Sequence, residues 1–268
     1  MGIRLIAVDM DGTCIGDRHR VPGENLNALK KAHKAGILVV PATGRTAANC
    51  PSEIRSLPFI RYVISSNGAR VTDREKGTTI HEVLIPGTEA REFLLKLRGW
   101  PVWTALHMDD RLIDSNLIPS IHRKLVGTGD PAKNRWVPSL PRFLEGRKGG
   151  VEKLELFYLT ERAGSRIRKL LKEHPKLSCA QFRNHYVEIT AAGASKGEAL
   201  RFLSERMGIP ASDVMAIGDS GNDLSMLHFA GYPVAMGNAC AEVKRAAVTV
   251  TATNARCGVA RAVREILP

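Results

Sequence analysis

Short apolar runs alternate with helical periodicity over the first part of the chain. Ile3–Val8 reads as a strand buried on both faces. Pro22-Gly23-Glu24 opens a helical stretch to about Ala35, with Leu26, Leu29 and Ala32 at helical spacing, and Gly36 ends it. A strand over Ile37–Ala42, a helix over about Ala47–Leu57 and a strand over Tyr62–Ser65 follow. This β-α-β-α-β pattern predicts an α/β fold with a parallel, doubly wound sheet. Ligands of such sheets bind outside the carboxyl ends of the strands. Asp9, Thr43, Ser66 and Asn67 stand at those ends.

The pattern then changes. Ala69–Val83 reads as a hairpin with Asp73–Gly77 at its tip. Residues 84–190 mix a helix (Glu89–Leu97), strand-like Trp103–Ser115, a polar Pro/Gly-rich stretch (Gly127–Gly150), strand-like Val151–Leu159, a helix (Arg162–His174) and strand-like Ser178–Thr190. After Ala191-Ala192-Gly193 the parallel pattern returns and runs to the last helix, Val259–Leu267. The expected organisation is a core domain of residues 1–83 and 191–268, interrupted by an inserted α+β cap of residues 84–190.

Composition narrows the function classes. At 268 residues and 44% apolar content the chain can bury one or two cores. No apolar stretch approaches the roughly 20 residues that span a membrane. Asp9 and Asp11 interrupt the only apolar run near the start, which disfavours a secretory signal. A cytoplasmic location and no membrane partner are expected. The five cysteines form no C-x-x-C pair, which disfavours a zinc knuckle or a disulfide framework. The net charge of +12 is spread along helices, as in Arg162–Lys172. That spacing favours a solvated surface first, attraction for small anionic substrates second, and nucleic acid last.

The chemistry lies in four polar segments at strand ends or helix starts: Asp9-Met10-Asp11-Gly12-Thr13, Thr43-Gly44-Arg45, Ser195-Lys196-Gly197 and Gly218-Asp219-Ser220-Gly221-Asn222-Asp223. Two carboxylates one residue apart at the end of a buried strand repel each other and resist desolvation, so the segment calls for a cation. Asp9 and Asp219, from separate strands, suit Mg²⁺ through hard oxygen ligands. Asp9 can attack phosphorus as a carboxylate nucleophile, and Asp11 can exchange a proton with the leaving oxygen and with water. Thr43 adds a hydroxyl, the amides that follow it form a nest for phosphoryl oxygens, and Lys196 neutralises accumulating charge. A lysine at a helix start is poorly placed for stability, which favours a functional role for Lys196.

These segments, in this order, resemble the four motifs of the haloacid dehalogenase (HAD) superfamily. Ser65-Ser66-Asn67-Gly68-Ala69 and Met236-Gly237-Asn238-Ala239 are similar to segments of its Cof-type (subclass IIB) phosphatases. The resemblance spans the whole chain. It implies a Rossmann-like core, an α/β cap and Mg²⁺-dependent hydrolysis through an aspartyl-phosphate. Carried over by position, Asp9 is nucleophile and metal ligand, and Asp11 is general acid/base and lends its backbone carbonyl to the metal. Asp219 is the second carboxylate ligand, and Asn222 and Asp223 support the metal or Lys196. Gly12, Thr43, Gly44, Arg45, Asn67, Lys196 and Asn222 line the substrate's phosphate. The expected substrate is a small phosphorylated metabolite, a sugar phosphate by preference. A phosphomutase or a dedicated glycosyl-phosphate phosphatase of the same fold is the nearest alternative. A signalling receiver is about half this length, and a nucleic-acid-binding protein rests on net charge alone.

Overall fold

The computed structural model describes residues 2–16, 19–116, 134–183 and 185–267. The chain divides into two compact units, residues 1–82 with 195–268, and residues 83–194. No helix among the described residues is long and apolar enough to cross a membrane.

The first unit is built on a parallel sheet. Its middle strand, β1 (Leu5–Val8), pairs with β2 (Leu38–Pro41) on one side and β14 (Val214–Gly218) on the other. Beyond β14 lie β15 (Tyr232–Ala235) and β16 (Thr249–Val250), giving the order β16-β15-β14-β1-β2. β1 and β14 are buried throughout, which is why both are continuously apolar. Helices α1 (Gly23–Lys34) and α9 (Gly258–Ile266) pack on each other, as do α6 (Lys196–Arg206) and α7 (Leu224–Phe229). A short helix, α8 (Ala241–Arg245), follows β15. From β1 the chain winds outward to β2, and from β14 it winds the opposite way to β15 and β16. The winding therefore reverses between β1 and β14, where a doubly wound sheet opens its ligand crevice.

The strand Tyr62–Ser65 (β3) departs from expectation. It pairs antiparallel with β4 (Arg70–Asp73), which pairs with β5 (Thr78–Glu82) in a separate three-stranded sheet. Its link to β2 is a single bridge, Ala42 to Ile64, with Thr43 N donating to Ile64 O at 2.9 Å. Along β2, Leu38 and Ala42 donate towards β1, so the alternate position 41 faces β3. Proline there has no N–H to give, and a regular ladder cannot extend. The expected helix 47–57 is also interrupted. A 3₁₀ turn (Ala47–Asn49) and one short helix, α2 (Ser52–Arg55), are separated at Pro51, which sits in an extended conformation.

The second unit holds a six-stranded sheet of order β12-β13-β11-β7-β8-β9. A small antiparallel pair, β6 (Ile85–Pro86) with β10 (Gly150–Val151), lies outside it. Trp103–Ser115 is two strands rather than one, β7 (Val102–Met108) and β8 (Arg111–Asp114). The chain reverses at Asp109-Asp110, both at positive φ, the geometry of a tight hairpin turn. Ser178–Thr190 is likewise a hairpin, β12 (Leu177–Arg183) with β13 (Tyr186–Ala191). Of the Pro/Gly-rich stretch 127–150, residues 127–133 lie outside the described residues. The rest forms β9 (Asn134–Trp136) and the short α4 (Leu140–Leu144), which packs on α3 (Gly87–Lys96). Helix α5 (Glu161–Lys172) packs on β11 (Lys153–Tyr158) and β12.

One face of this sheet carries buried charge. Glu155 and Glu188 are directly opposite each other on β11 and β13, a destabilising pair if left alone. Lys153 resolves it, with Nζ 3.0 Å from Glu155 and 2.5 Å from Glu188. Burial works against the ammonium, but Glu155 and then Glu188 hold its pKa above the ordinary lysine value. His107 Nε2 lies 3.1 Å from Glu155, and the Tyr186 hydroxyl donates to Glu188 at 2.8 Å. Replacing Lys153 by methionine is expected to cost about 3–5 kcal/mol, because two buried carboxylates then face each other. Urea denaturation reads the loss, and an unchanged midpoint would refute the account.

Candidate active site

The candidate residues gather where the winding reverses. β1 delivers Asp9 and β14 delivers Asp219, each directly after its last strand residue. The two strands are hydrogen-bonded along their length, with Val8 opposite Ile217, so the two aspartates leave the sheet side by side. After Asp9 the chain makes one irregular turn over Met10–Cys14. Gly12 sits there at φ +82°, and an added Cβ would lie 2.5 Å from an Asp219 carboxylate oxygen. Only glycine fits this approach.

Lys196 enters from the first turn of α6, whose N-cap Ser195 accepts a hydrogen bond from Glu198 N at 3.1 Å. Its side chain is fully buried. Nζ donates to Asp9 Oδ1 at 2.6 Å and to Asp223 Oδ1 at 2.7 Å. The other oxygen of Asp223, Oδ2, accepts from the backbone N–H groups of Asp219 and Ser220, both at 3.0 Å. Asp223 thus locks the β14 loop and anchors the lysine at once. Asp9, Asp219 and Asp223 each bring a carboxylate oxygen within 4.8 Å of the others. Thr13 Oγ1 donates to Asp219 Oδ1 at 3.1 Å and joins the two strand-end loops.

The electrostatics follow from burial. The Asp9 carboxyl is pushed well above the usual carboxylate range, first by desolvation, then by Asp223, with Asp219 adding to the shift and Lys196 opposing it. Burial works against the Lys196 ammonium, but Asp223 and Asp9 hold its pKa above the ordinary lysine value. Three carboxylates thus face one ammonium, and an all-oxygen donor set of this charge fits a hard divalent cation.

Asp11 does not join that group through its carboxylate. It is gripped by Arg45, with Nε to Oδ2 at 2.8 Å and Nη2 to Oδ1 at 2.6 Å, and its side chain is 55% exposed. Thr43 is buried at the end of β2, and its Oγ1 accepts from Arg45 N at 3.1 Å. Gly44 lies between them. Asn67 is buried in a left-handed turn, and its side-chain carbonyl accepts from Asn222 Nδ2 at 3.0 Å. The carbonyl of Asn222 in turn accepts from Ser220 Oγ at 2.6 Å. In this arrangement Asn222 ties the β14 loop to the β3 turn. The sequence offers three further candidates for reading the leaving group, Arg183, Asn184 and His185 before the last cap strand. The side chains of Arg183 and Asn184 lie outside the described residues, and His185 Nδ1 lies 2.9 Å from Tyr158 O within its own unit.

Sequence reasoning missed the braces of the first loop. Asn238 Nδ2 donates to Gly12 O at 2.8 Å, and Asn238 Oδ1 accepts from Asn254 N. Asn254 Nδ2 donates to Ile15 O at 3.0 Å. Asn25, wholly buried in α1, donates to Cys14 O and accepts from Ala260 N, both at 3.0 Å. Two signals were available, an asparagine on the otherwise apolar face of α1 and Asn238 within the segment Met236–Ala239, but neither told which loop it would hold.

A family model described as haloacid dehalogenase-like hydrolase matches residues 6–263. Phosphatase YwpJ of Bacillus subtilis is 31% identical over 99% of this chain and 100% of its own. YcsE of the same organism, named a 5-amino-6-(5-phospho-D-ribitylamino)uracil phosphatase, is 31% identical over 98% and 95%. The solved structure of a haloacid dehalogenase-like hydrolase from B. subtilis superposes with a TM-score of 0.87 at 29% identity, covering 99% of this chain and 100% of that one. The sugar phosphatase BT4131, described as HAD subclass IIB, gives 0.83 at 26% identity over 98% of both chains. With the fold, the order of the polar segments and these similarities in agreement, the chain belongs to the haloacid dehalogenase-like hydrolase family, as one of its Cof-type phosphatases.

Proposed function

We propose that the protein hydrolyses phosphate monoesters of small polyhydroxylated metabolites, sugar phosphates by preference, with Mg²⁺ and through an aspartyl-phosphate on Asp9. The observation that carries this reading is Lys196, buried between Asp9 and Asp223 beside the third carboxylate of Asp219. Asp9, Asp219 and Asp223 would hold the cation, which when bound offsets the charge of the carboxylates and of the substrate phosphate.

Lys196 pins one oxygen of Asp9 and leaves the other to attack phosphorus. As the Asp9–phosphorus bond forms, the bond to the leaving oxygen breaks, and Asp11 supplies that oxygen's proton. Water then gives a proton back to Asp11 and attacks phosphorus. The Asp9–phosphorus bond breaks, releasing inorganic phosphate. Thr43 and the amides after it would hold phosphoryl oxygens, with Arg45 N exchanging Thr43 Oγ1 for the phosphate. The Arg45 fork holds Asp11 as a two-oxygen acceptor, so the proton relay requires Asp11 to leave the fork. The names of two relatives support a hydroxylated leaving group, since one is a sugar phosphatase and the other acts on a phosphoribityl compound.

The test is a panel of phosphorylated metabolites with purified protein and Mg²⁺, reading inorganic phosphate against ester consumed. Equal amounts support hydrolysis, whereas an isomerised ester with little free phosphate would indicate a mutase. Asp11→Asn is expected to lose turnover and to accumulate acid-stable ³²P label on the protein from a labelled ester, because dephosphorylation, which needs Asp11 to take a proton from water, slows more than phosphorylation of Asp9. Absence of label with every ester that the wild type cleaves would count against the covalent route.

A further inference from the structure

The second unit contains a cavity of about 780 Å³ that the reaction above does not use. It lies among the C-terminal end of α3, the start of β7, the end of β8 and the helix α4, all within residues 83–194. Its volume falls in the range of small-molecule sites.

The lining is unusual in its charge. Arg91, Arg98 and Arg142 all reach it, against one carboxylate, Glu145, among the described residues. Glu145 is taken by Arg91, whose Nη2 donates to Oε1 at 3.0 Å. The Nε of Arg91 is buried and finds no acceptor among the described residues. The guanidinium groups of Arg98 and Arg142 make no hydrogen bond or ion pair with any described residue. The rest of the wall includes Thr104, Ser115 and Asn116. Thr104 and Ser115 share a hydrogen bond at 3.1 Å, and Asn116 Nδ2 donates to Thr104 O at 3.2 Å. Its own carbonyl oxygen, Oδ1, accepts from no described residue and can take a ligand hydroxyl.

We propose that this cavity is a second anion site, which binds a small phosphorylated and hydroxylated molecule with its phosphate between Arg98 and Arg142. Planar guanidinium forks match phosphate oxygens bidentately, and Arg91, with its unpartnered Nε–H, lines the same cavity. A bare phosphate ion fills a small part of the volume, and the hydroxyl and amide groups that share the lining with the arginines suit a polyol skeleton. This site is built from residues of the second unit alone and the hydrolytic site from residues of the first, and its existence does not depend on the hydrolytic reading.

The test is calorimetric titration of the Mg²⁺-loaded full chain and of Arg98→Gln/Arg142→Gln. Two probes are used, inorganic phosphate and the methylene phosphonate analogue of a hexose 6-phosphate, which resists hydrolysis. Both arginines are exposed, and thermal melting checks that the variant folds. The wild type is expected to show one binding event more than the variant, or the same event weakened at least about tenfold by loss of two charge-assisted contacts. The kcat/KM for p-nitrophenyl phosphate should stay within about twofold, which keeps this result apart from any failure of the hydrolytic reading. An extra event with both probes identifies free phosphate as sufficient, and one with the phosphonate alone identifies the ester. Identical titrations of wild type and variant with both probes would overturn the proposal.

Discussion

Replacing Lys196 by methionine is expected to destabilise the metal-free protein by about 3–5 kcal/mol and to abolish turnover. The side chain is fully buried, and its two acceptors, Asp9 and Asp223, have side chains 6% and 0% exposed. Removing the ammonium leaves two buried carboxylates without the cation that both of them contact. Asp223 keeps two backbone N–H donors, so Asp9 is the group that escapes by taking a proton. The sign of the pH dependence follows. Burial and the neighbouring Asp223 raise the pKa of Asp9 above its unfolded value near 4, against the opposing pull of Lys196. Stability from such a group is present below the unfolded pKa and is lost as pH rises through the folded one. Without Lys196 that loss deepens, so the deficit relative to wild type should be larger at pH 7.5 than at pH 4.5. Denaturant titrations at the two values decide it, and equal midpoints for variant and wild type would remove Lys196 from its place as the charge anchor.

Asp9→Asn is expected to give the opposite pairing of effects. The group then holds one ammonium against two carboxylates, Asp223 and the less buried Asp219, one negative charge fewer than before, so the metal-free protein should be at least as stable as wild type. Turnover should fall by up to about 10⁶-fold, the scale on which loss of a covalent nucleophile acts. The response to Mg²⁺ should fall as well. Wild type at a hundredfold excess over the dissociation constant gains about 2.7 kcal/mol, and the variant, with one carboxylate fewer, gains clearly less. Thermal melts with and without Mg²⁺, beside a phosphate-release assay, read all three quantities. A metal-free variant several kcal/mol less stable than wild type would contradict the electrostatic account. A variant that turns over normally would contradict the nucleophile assignment.

The contrast between these variants shows which parts of the site a sequence can disclose. Asp9, Asp11 and Gly12 are legible because they break an apolar strand with groups that serve no packing purpose. Lys196 is legible because a cation at a helix start is misplaced electrostatically. The partner choices are not legible, because they depend on distances between loops. Asp223 clasps Lys196 and two amides, whereas its neighbour Asn222 turns to Asn67. Asp11 is two residues from Asp9, yet its carboxylate belongs to Arg45.

In the fold, the parallel strands around β1 are visible as uninterrupted apolar runs, and the α/β class follows from them. The hairpins inside Trp103–Ser115 and Ser178–Thr190 are not, since their turns use aspartate or histidine at positive φ where glycine would have announced them. The detachment of β3 depends on one missing N–H, at Pro41. A proline in an apolar strand run gives no notice of which edge it faces.

The pairing of β1 with β14 joins residues 5–8 to residues 214–217. The middle strand of the sheet therefore waits, during synthesis, for a neighbour from the last quarter of the chain. Pairings of such long separation form late, because loop closure comes before any reward from contact. The second unit is contiguous in sequence and is free of that wait. Lys196, Asp219 and Asp223 all lie on the late side. A nascent chain thus carries its first two aspartates as an ordinary acidic turn, without hydrolytic power, until the C-terminal strands close the sheet.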